Sequence, residues 1–171
     1  MKIAISADHR GVHVLPDITL LLQHQGCQVV EMNACANTTS DYPDCAFMVA
    51  RAVARGEADR GVLVCGSGIG MSIAANKVPG VRAALVYDEI GAEMARRHND
   101  ANVLCLPADL IGARLIERIV LTWLKSGFDG GRHARRLAKI AAIENGEDPN
   151  DVGFFEDDAP KTADPAKTGD L

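Results

Sequence analysis

The sequence predicts an α/β fold: a three-layer αβα, Rossmann-like domain built on a five-stranded parallel sheet. Two observations carry this. Short β-type runs recur at regular intervals: KIAIS (2–6), CQVVEM (27–32), GVLVC (61–65), VRAALVY (81–87) and NVLCL (102–106). Between them lie stretches with helical spacing of apolar residues. Strands alternating with helices form βαβ units, and a parallel sheet of that kind is covered on both faces.

The helical stretches follow in order. Residues 12–25 carry Leu15, Leu20, Leu21 and Leu22, residues 44–56 are rich in alanine and valine, and residues 68–78 read GIGMSIAANKV. Residues 88–97 come next, then 109–126, where Leu110, Ile111, Leu115, Ile119, Val120 and Leu124 fall roughly on one side. A sixth helix follows the glycines at 130–131 and carries Arg132, Arg135, Arg136 and Lys139 in its first turns. Positive charge there opposes the helix macrodipole, so an anion or an acidic partner explains the cluster better than helix stability does. Arg132 and Arg136 share one face and can reach one anion together, whereas Arg135 faces elsewhere and reads as surface.

Composition narrows the function. The chain has 171 residues, 47% hydrophobic and only 4% aromatic, with a net charge of −5. One domain of that size buries a real core. The charge disfavours a nucleic-acid partner. No apolar run is long enough to span a membrane, and the start is too short in apolar residues for a signal peptide. Cys27, Cys35, Cys45, Cys65 and Cys105 form no CxxC pair, so they are expected to be reduced thiols of a cytoplasmic protein without a bound metal. From Glu144 onward the sequence carries nine acidic residues and two lysines. We therefore expect a domain over 1–144 and an acidic, flexible tail over 145–171. Phe154 and Phe155 are its only aromatic residues, and they either stay solvated with it or dock on a neighbouring surface.

In a doubly wound sheet, ligands bind at the carboxyl ends of the strands, near the reversal of strand order. The residues just past those ends are Asp8-His9, the Thr38-to-Tyr42 region, Cys65 to Gly70, Tyr87-Asp88 and Pro107 to Asp109. The central segment is GVLVCGSGIGMS (61–72). It fails the dinucleotide fingerprint, because Gly66, Gly68 and Gly70 are spaced two and two rather than two and three. It also contains no phosphate-binding GxxxxGK[ST] loop and no GxSxG nucleophile elbow. Three glycines nevertheless allow close approach of a ligand and can turn N–H groups inward as an anion nest, aided by the helix expected from about Ser67. Both effects would lower the pKa of Cys65. A thiolate facing N–H donors suits proton abstraction beside a carbonyl whose oxygen becomes an enolate. The plainer alternative is a buried strand-end thiol with glycines that only permit tight packing.

Taken together, ADHRG, DYPD, VLVCGSGIGMSIAANKVPGVRAA, RRHNDANVL and GGRHARR resemble the ribose-5-phosphate isomerase B family, which includes galactose-6-phosphate isomerase subunits. The resemblance covers residues 1 to about 144. It implies a five-stranded doubly wound sheet, a homodimer or higher homo-oligomer with shared sites, and aldose–ketose isomerisation of a sugar or sugar phosphate through a cis-enediolate. No cofactor, metal, nucleic acid or membrane is implied. By this resemblance Cys65 is the base, and Ser67 holds the oxyanion with the backbone of Gly66, Gly68 and Gly70. Asp8 moves protons between substrate oxygens, His98 opens the sugar ring, Asn99 places a hydroxyl and Tyr42 lines the pocket. His9, Arg132 and Arg136 bind phosphate, some of them from the partner chain.

The sequence departs from the family after HNDANVL, where Asp109 occupies the position of a phosphate-gripping arginine and Pro107 that of a glycine. Arg10 is a possible replacement. Asp109 would otherwise accept sugar hydroxyls, or serve only as the N-cap of the next helix. The competing functions are a non-catalytic sugar-phosphate sensor and, more distantly, a nicotinamide dehydrogenase.

Overall fold

The computed structural model describes residues 1–32 and 41–154. Expectations that fall on Cys35, on Thr38 and on the tail from Phe155 lie outside the described residues. Two compact units are present, Met1–Phe128 and the residues from Asp129 onward.

The first unit runs β1 (Lys2–Ala7), α1 (Leu15–His24), β2 (Gln28–Glu31), α2 (Tyr42–Ala54), β3 (Arg60–Cys65), α3 (Ile69–Ala75), β4 (Ala83–Leu85), α4 (Glu89–Arg97), β5 (Val103–Pro107) and α5 (Ala113–Lys125). The five strands pair in parallel in the order β2-β1-β3-β5-β4, so the expected α/β fold is present. Successive side chains leave a strand on opposite faces. Ile3, Ile5, Val62, Val64, Leu104 and Leu106 accordingly pack with Ile18, Leu22, Ala95, Ile119 and Trp123 of α1, α4 and α5. Ala4, Leu63, Cys65, Val103 and Cys105 pack on the other face with Val49, Met71 and Ala75 of α2 and α3. Cys65 therefore points toward α2 and α3.

Local chemistry sets the helix starts. Pro16 and Pro43 stand in the first turns of α1 and α2, where a missing N–H leaves no bond unmade. Asp88 caps α4 by accepting from the Gly91 N–H at 2.6 Å. Three expected starts shift. Helix α3 begins at Ile69, because Gly68 is its left-handed N-cap at φ +73°. Helix α5 begins at Ala113 with Gly112 as N-cap, so Asp109 does not cap it. Strand β4 is shorter than the run that signalled it.

The second unit contains α6 (Arg132–Glu144) and a 3-10 turn at Pro149–Asp151. Lys139 donates to the Pro149 carbonyl at 2.6 Å, drawing the chain back along the helix. The Arg135 guanidinium lies 4.3 Å from the centroid of the Phe154 ring. Arg135 is thus engaged in a cation–π contact rather than left as a plain surface charge.

Among the described cysteines, Cys27, Cys65 and Cys105 are free thiols and Cys45 is disulfide-bonded. This corrects the expectation that all five are reduced. No described helix is long and apolar enough to cross a membrane.

Candidate active site

Strand order reverses between β1 and β3, and a cavity of about 650 Å³ opens at their carboxyl ends. Asp8, Arg10, Tyr42, Cys65, Gly66, Ser67, Gly70 and Asp109 line it, together with the apolar Ile69, Ile73 and Leu110. The polar residues come from four separate chain segments that only the sheet brings together.

Cys65 ends β3 and is 5% exposed. The Gly68 N–H donates to its sulfur at 3.0 Å. Burial pushes the thiol above its ordinary value, and the nearby Asp8 carboxylate pushes the same way. The N–H groups of Gly68, Met71 and Ser67 oppose this without reversing it. The expected lowering is therefore overturned: desolvation of a nearly enclosed sulfur outweighs the backbone dipoles aimed at it. The Gly68 N–H is also committed to sulfur, so it is not a spare oxyanion donor.

Asp8 is 6% exposed and follows directly on β1. Its Oδ1 accepts from the N–H groups of Arg10 at 2.9 Å and Gly11 at 3.0 Å. That turn fixes the carboxylate in the cavity wall. Gly11 is required there, because a Cβ would lie 2.5 Å from the Val64 carbonyl oxygen.

Tyr42 opens α2 and lays its ring over the first turn of α3. A Cβ on Gly70 would stand 2.5 Å from that ring, so the glycine is what admits it. Ser67 accepts from the Ile69 N–H at 3.4 Å, and the Tyr87 hydroxyl donates to the Ser67 carbonyl at 3.5 Å. Arg10 grips one oxygen of Asp109 through Nε at 2.9 Å and Nη2 at 2.7 Å.

Of the other expected residues in the first unit, His9, His98 and Asn99 are not among those lining this cavity. His9 is exposed beside Asp8 but is not among the lining residues. His98 caps the C-terminus of α4, with Asn99 exposed after it. That helix starts beyond the carboxyl end of β4 and runs back, so both residues sit near the amino ends of the strands. Arg132 and Arg136 are exposed on α6 in the second unit. Ile69, Ile73 and Leu110 escaped the sequence reading, because isolated apolar residues next to a motif look like ordinary core.

A doubly wound sheet with a buried thiol and a fixed carboxylate at its switch point defines an α/β enzyme site suited to proton transfer at carbon. The chain belongs to the ribose/galactose isomerase family, whose model matches residues 3–140. It is 42% identical over 143 residues to ribose-5-phosphate isomerase B of Escherichia coli, covering 84% of this chain and 96% of that one. It is 40% identical to D-erythrulose-4-phosphate isomerase of Pectobacterium atrosepticum, covering 86% and 97%. The structure of Clostridium thermocellum ribose-5-phosphate isomerase B superposes with a TM-score of 0.83 at 48% identity, covering 85% of this chain and 99% of that one. That of the Mycoplasma genitalium enzyme with bound ribulose-5-phosphate gives 0.79 at 42% identity, covering 84% and 96%. The protein is a sugar-phosphate aldose–ketose isomerase of the ribose-5-phosphate isomerase B type.

Proposed function

We propose that this isomerase interconverts ribose 5-phosphate and ribulose 5-phosphate through a cis-enediolate, with Cys65 as the base. The observation that carries the reading is the Cys65 sulfur, held by the Gly68 N–H at 3.0 Å in one cavity with Asp8. The Cys65 thiolate takes the proton from C2 of the open-chain aldose, and the electron pair moves into the enediolate. Asp8 carries a proton from one substrate oxygen to the other. The thiol then returns its proton to C1, so nothing is gained or lost overall. Ser67, with backbone N–H groups of Gly66 and Gly70, steadies the oxyanion. Tyr42 bounds the sugar.

His98 opens the ring and Asn99 orients a hydroxyl, and both come from a second copy of the chain. A homodimer is supported by two features. His98 lies at the wrong end of its own sheet, and the exposed Tyr42, Ile69, Ile73 and Leu110 gather at the cavity mouth. His9, Arg132 and Arg136 supply positive charge for the phosphate. Residues 1–144 constitute the isomerase domain and 145–171 an acidic appendix. Residence in the cytoplasm fits the free thiols Cys27, Cys65 and Cys105, although the disulfide at Cys45 does not add to that support.

A second reading, isomerisation of a tetrose phosphate, is favoured by Asp109 in the cavity wall and by the similarity to D-erythrulose-4-phosphate isomerase. Turnover of four-, five- and six-carbon phosphosugars, without added metal, separates the two. Cys65→Ala should lower turnover by roughly 10²–10⁴-fold on the true substrate without loss of fold. A fully active Cys65→Ala variant would overturn the mechanism.

A further inference from the structure

We infer that the Arg10–Asp109 pair is the specificity-determining wall of the cavity, which turns its Gly66 end into a site for a sugar hydroxyl and keeps phosphate out of it. The inference rests on reading the cavity as a sugar-phosphate site.

The placement follows from the sheet. Strands β1 and β5 flank β3, so Arg10, just past β1, and Asp109, just past β5, stand on either side of the end of β3. Their ion pair closes above Gly66, and a Cβ on that glycine would lie 2.5 Å from Asp109 Oδ2. Both partners are tied to the reaction groups through the backbone. The Arg10 N–H donates to Asp8 Oδ1 at 2.9 Å, and the Asp109 N–H donates to the Gly66 carbonyl at 3.0 Å. The Ala108 N–H likewise donates to the Cys65 carbonyl at 2.9 Å. The pair is therefore built into the same framework as the thiol and the carboxylate.

Stability does not account for it. The two side chains are 58% and 34% exposed, and exposed pairs of this kind stabilise little. Charge does account for it. With both Nε and Nη2 on Asp109 Oδ2, that edge of the guanidinium is taken by the carboxylate rather than open to a phosphate. Among the described residues lining the cavity, Asp8 and Asp109 set two carboxylates against the one guanidinium of Arg10. A dianion is repelled there, whereas a neutral hydroxyl can donate to Asp109. The phosphate of a bound sugar must point away from this wall, so the distance from Cys65 to the phosphate is set at the other end of the cavity.

The test is titration calorimetry with inorganic phosphate on the full-length protein, for wild type, Asp109→Asn, Arg10→Ala and the double variant. Asp109→Asn is isosteric, and Asp109→Ser serves as the second variant. Releasing Arg10 should tighten phosphate about ten-fold in Asp109→Asn, and the gain should be clearly smaller in the Arg10→Ala background, where only the carboxylate's repulsion is removed. The ratio of kcat/KM between four- and five-carbon phosphosugars should shift by a similar factor. Unchanged phosphate affinity and an unchanged ratio in Asp109→Asn would overturn the inference. So would an equal gain in the presence and absence of Arg10, since the pairing would then contribute nothing. Calorimetry needs no turnover. If wild type isomerises no sugar, the functional reading fails, while the phosphate titrations still decide the role of the pair.

Discussion

Cys65 and His98 stand at opposite ends of one sheet. Cys65 closes β3 at its carboxyl end, whereas His98 closes α4, a helix that runs back toward the amino ends and ends before β5 begins at Val103. Its length, about 13 Å at 1.5 Å per residue, separates the two rims. If both groups act on one sugar, as proposed above, the His98 that meets Cys65 comes from a second copy.

Mixing inactive variants tests this. Equal amounts of Cys65→Ala and His98→Asn chains, co-expressed or refolded together, should recover about a quarter of wild-type activity, because half the dimers are mixed and each holds one intact site. Failure to recover activity in demonstrably mixed dimers would show that the sites are not shared.

The thiol should report its burial through pH. Its pKa lies above the ordinary 9.0, so the thiolate fraction grows as pH rises and kcat/KM should climb through the alkaline range. The sign for stability is opposite. A neutral buried thiol favours the folded state below the unfolded value, and this contribution is lost as pH rises through the folded pKa. Asp8→Asn removes one cause of the shift, so the pH midpoint for alkylation of Cys65 should fall. A midpoint that does not move would mean Asp8 does not act on the sulfur.

Two glycines at the site should respond differently to alanine. At Gly70 the added Cβ meets the ring of Tyr42, a side chain 43% exposed and free to swing aside. Gly70→Ala should leave the melting temperature nearly unchanged but raise KM. At Gly11 the Cβ meets the Val64 backbone at 2.5 and 2.7 Å, which cannot yield without moving β3. Gly11→Ala should cost about 1–3 kcal/mol in denaturant unfolding.

Trp123 offers a test of the core. It is fully buried, its indole N–H has no partner among the described residues, and the Arg60 guanidinium lies 5.1 Å from its ring centroid. Trp123→Ala should cost about 3–5 kcal/mol. Trp123→Phe should cost clearly less, because it removes the unpaired donor while keeping a ring under Arg60. Equal losses in urea unfolding would show that volume, not the donor, governs the position.

The sequence by itself determined the order of strands and helices, because alternation of short β-branched runs with amphipathic stretches is a local property. It also marked the glycine loop, where spacing alone separated this site from nucleotide-binding look-alikes. The gathering of Cys65, Asp8, Ser67 and Tyr42 around one cavity was legible because strand ends in such a sheet come together at one rim. The tertiary structure decided what depends on neighbours distant in sequence. The direction of the Cys65 shift was read wrongly from the loop, since desolvation comes from α2 and α3 packing over it rather than from the loop's own N–H groups. The pairing of Arg10 with Asp109 needed strands β1 and β5 to flank β3. The helix-cap role open to Asp109 was removed by the turn that ends at Gly112. His98 could be named from its motif, but the end of the sheet it occupies follows only from the direction in which α4 runs.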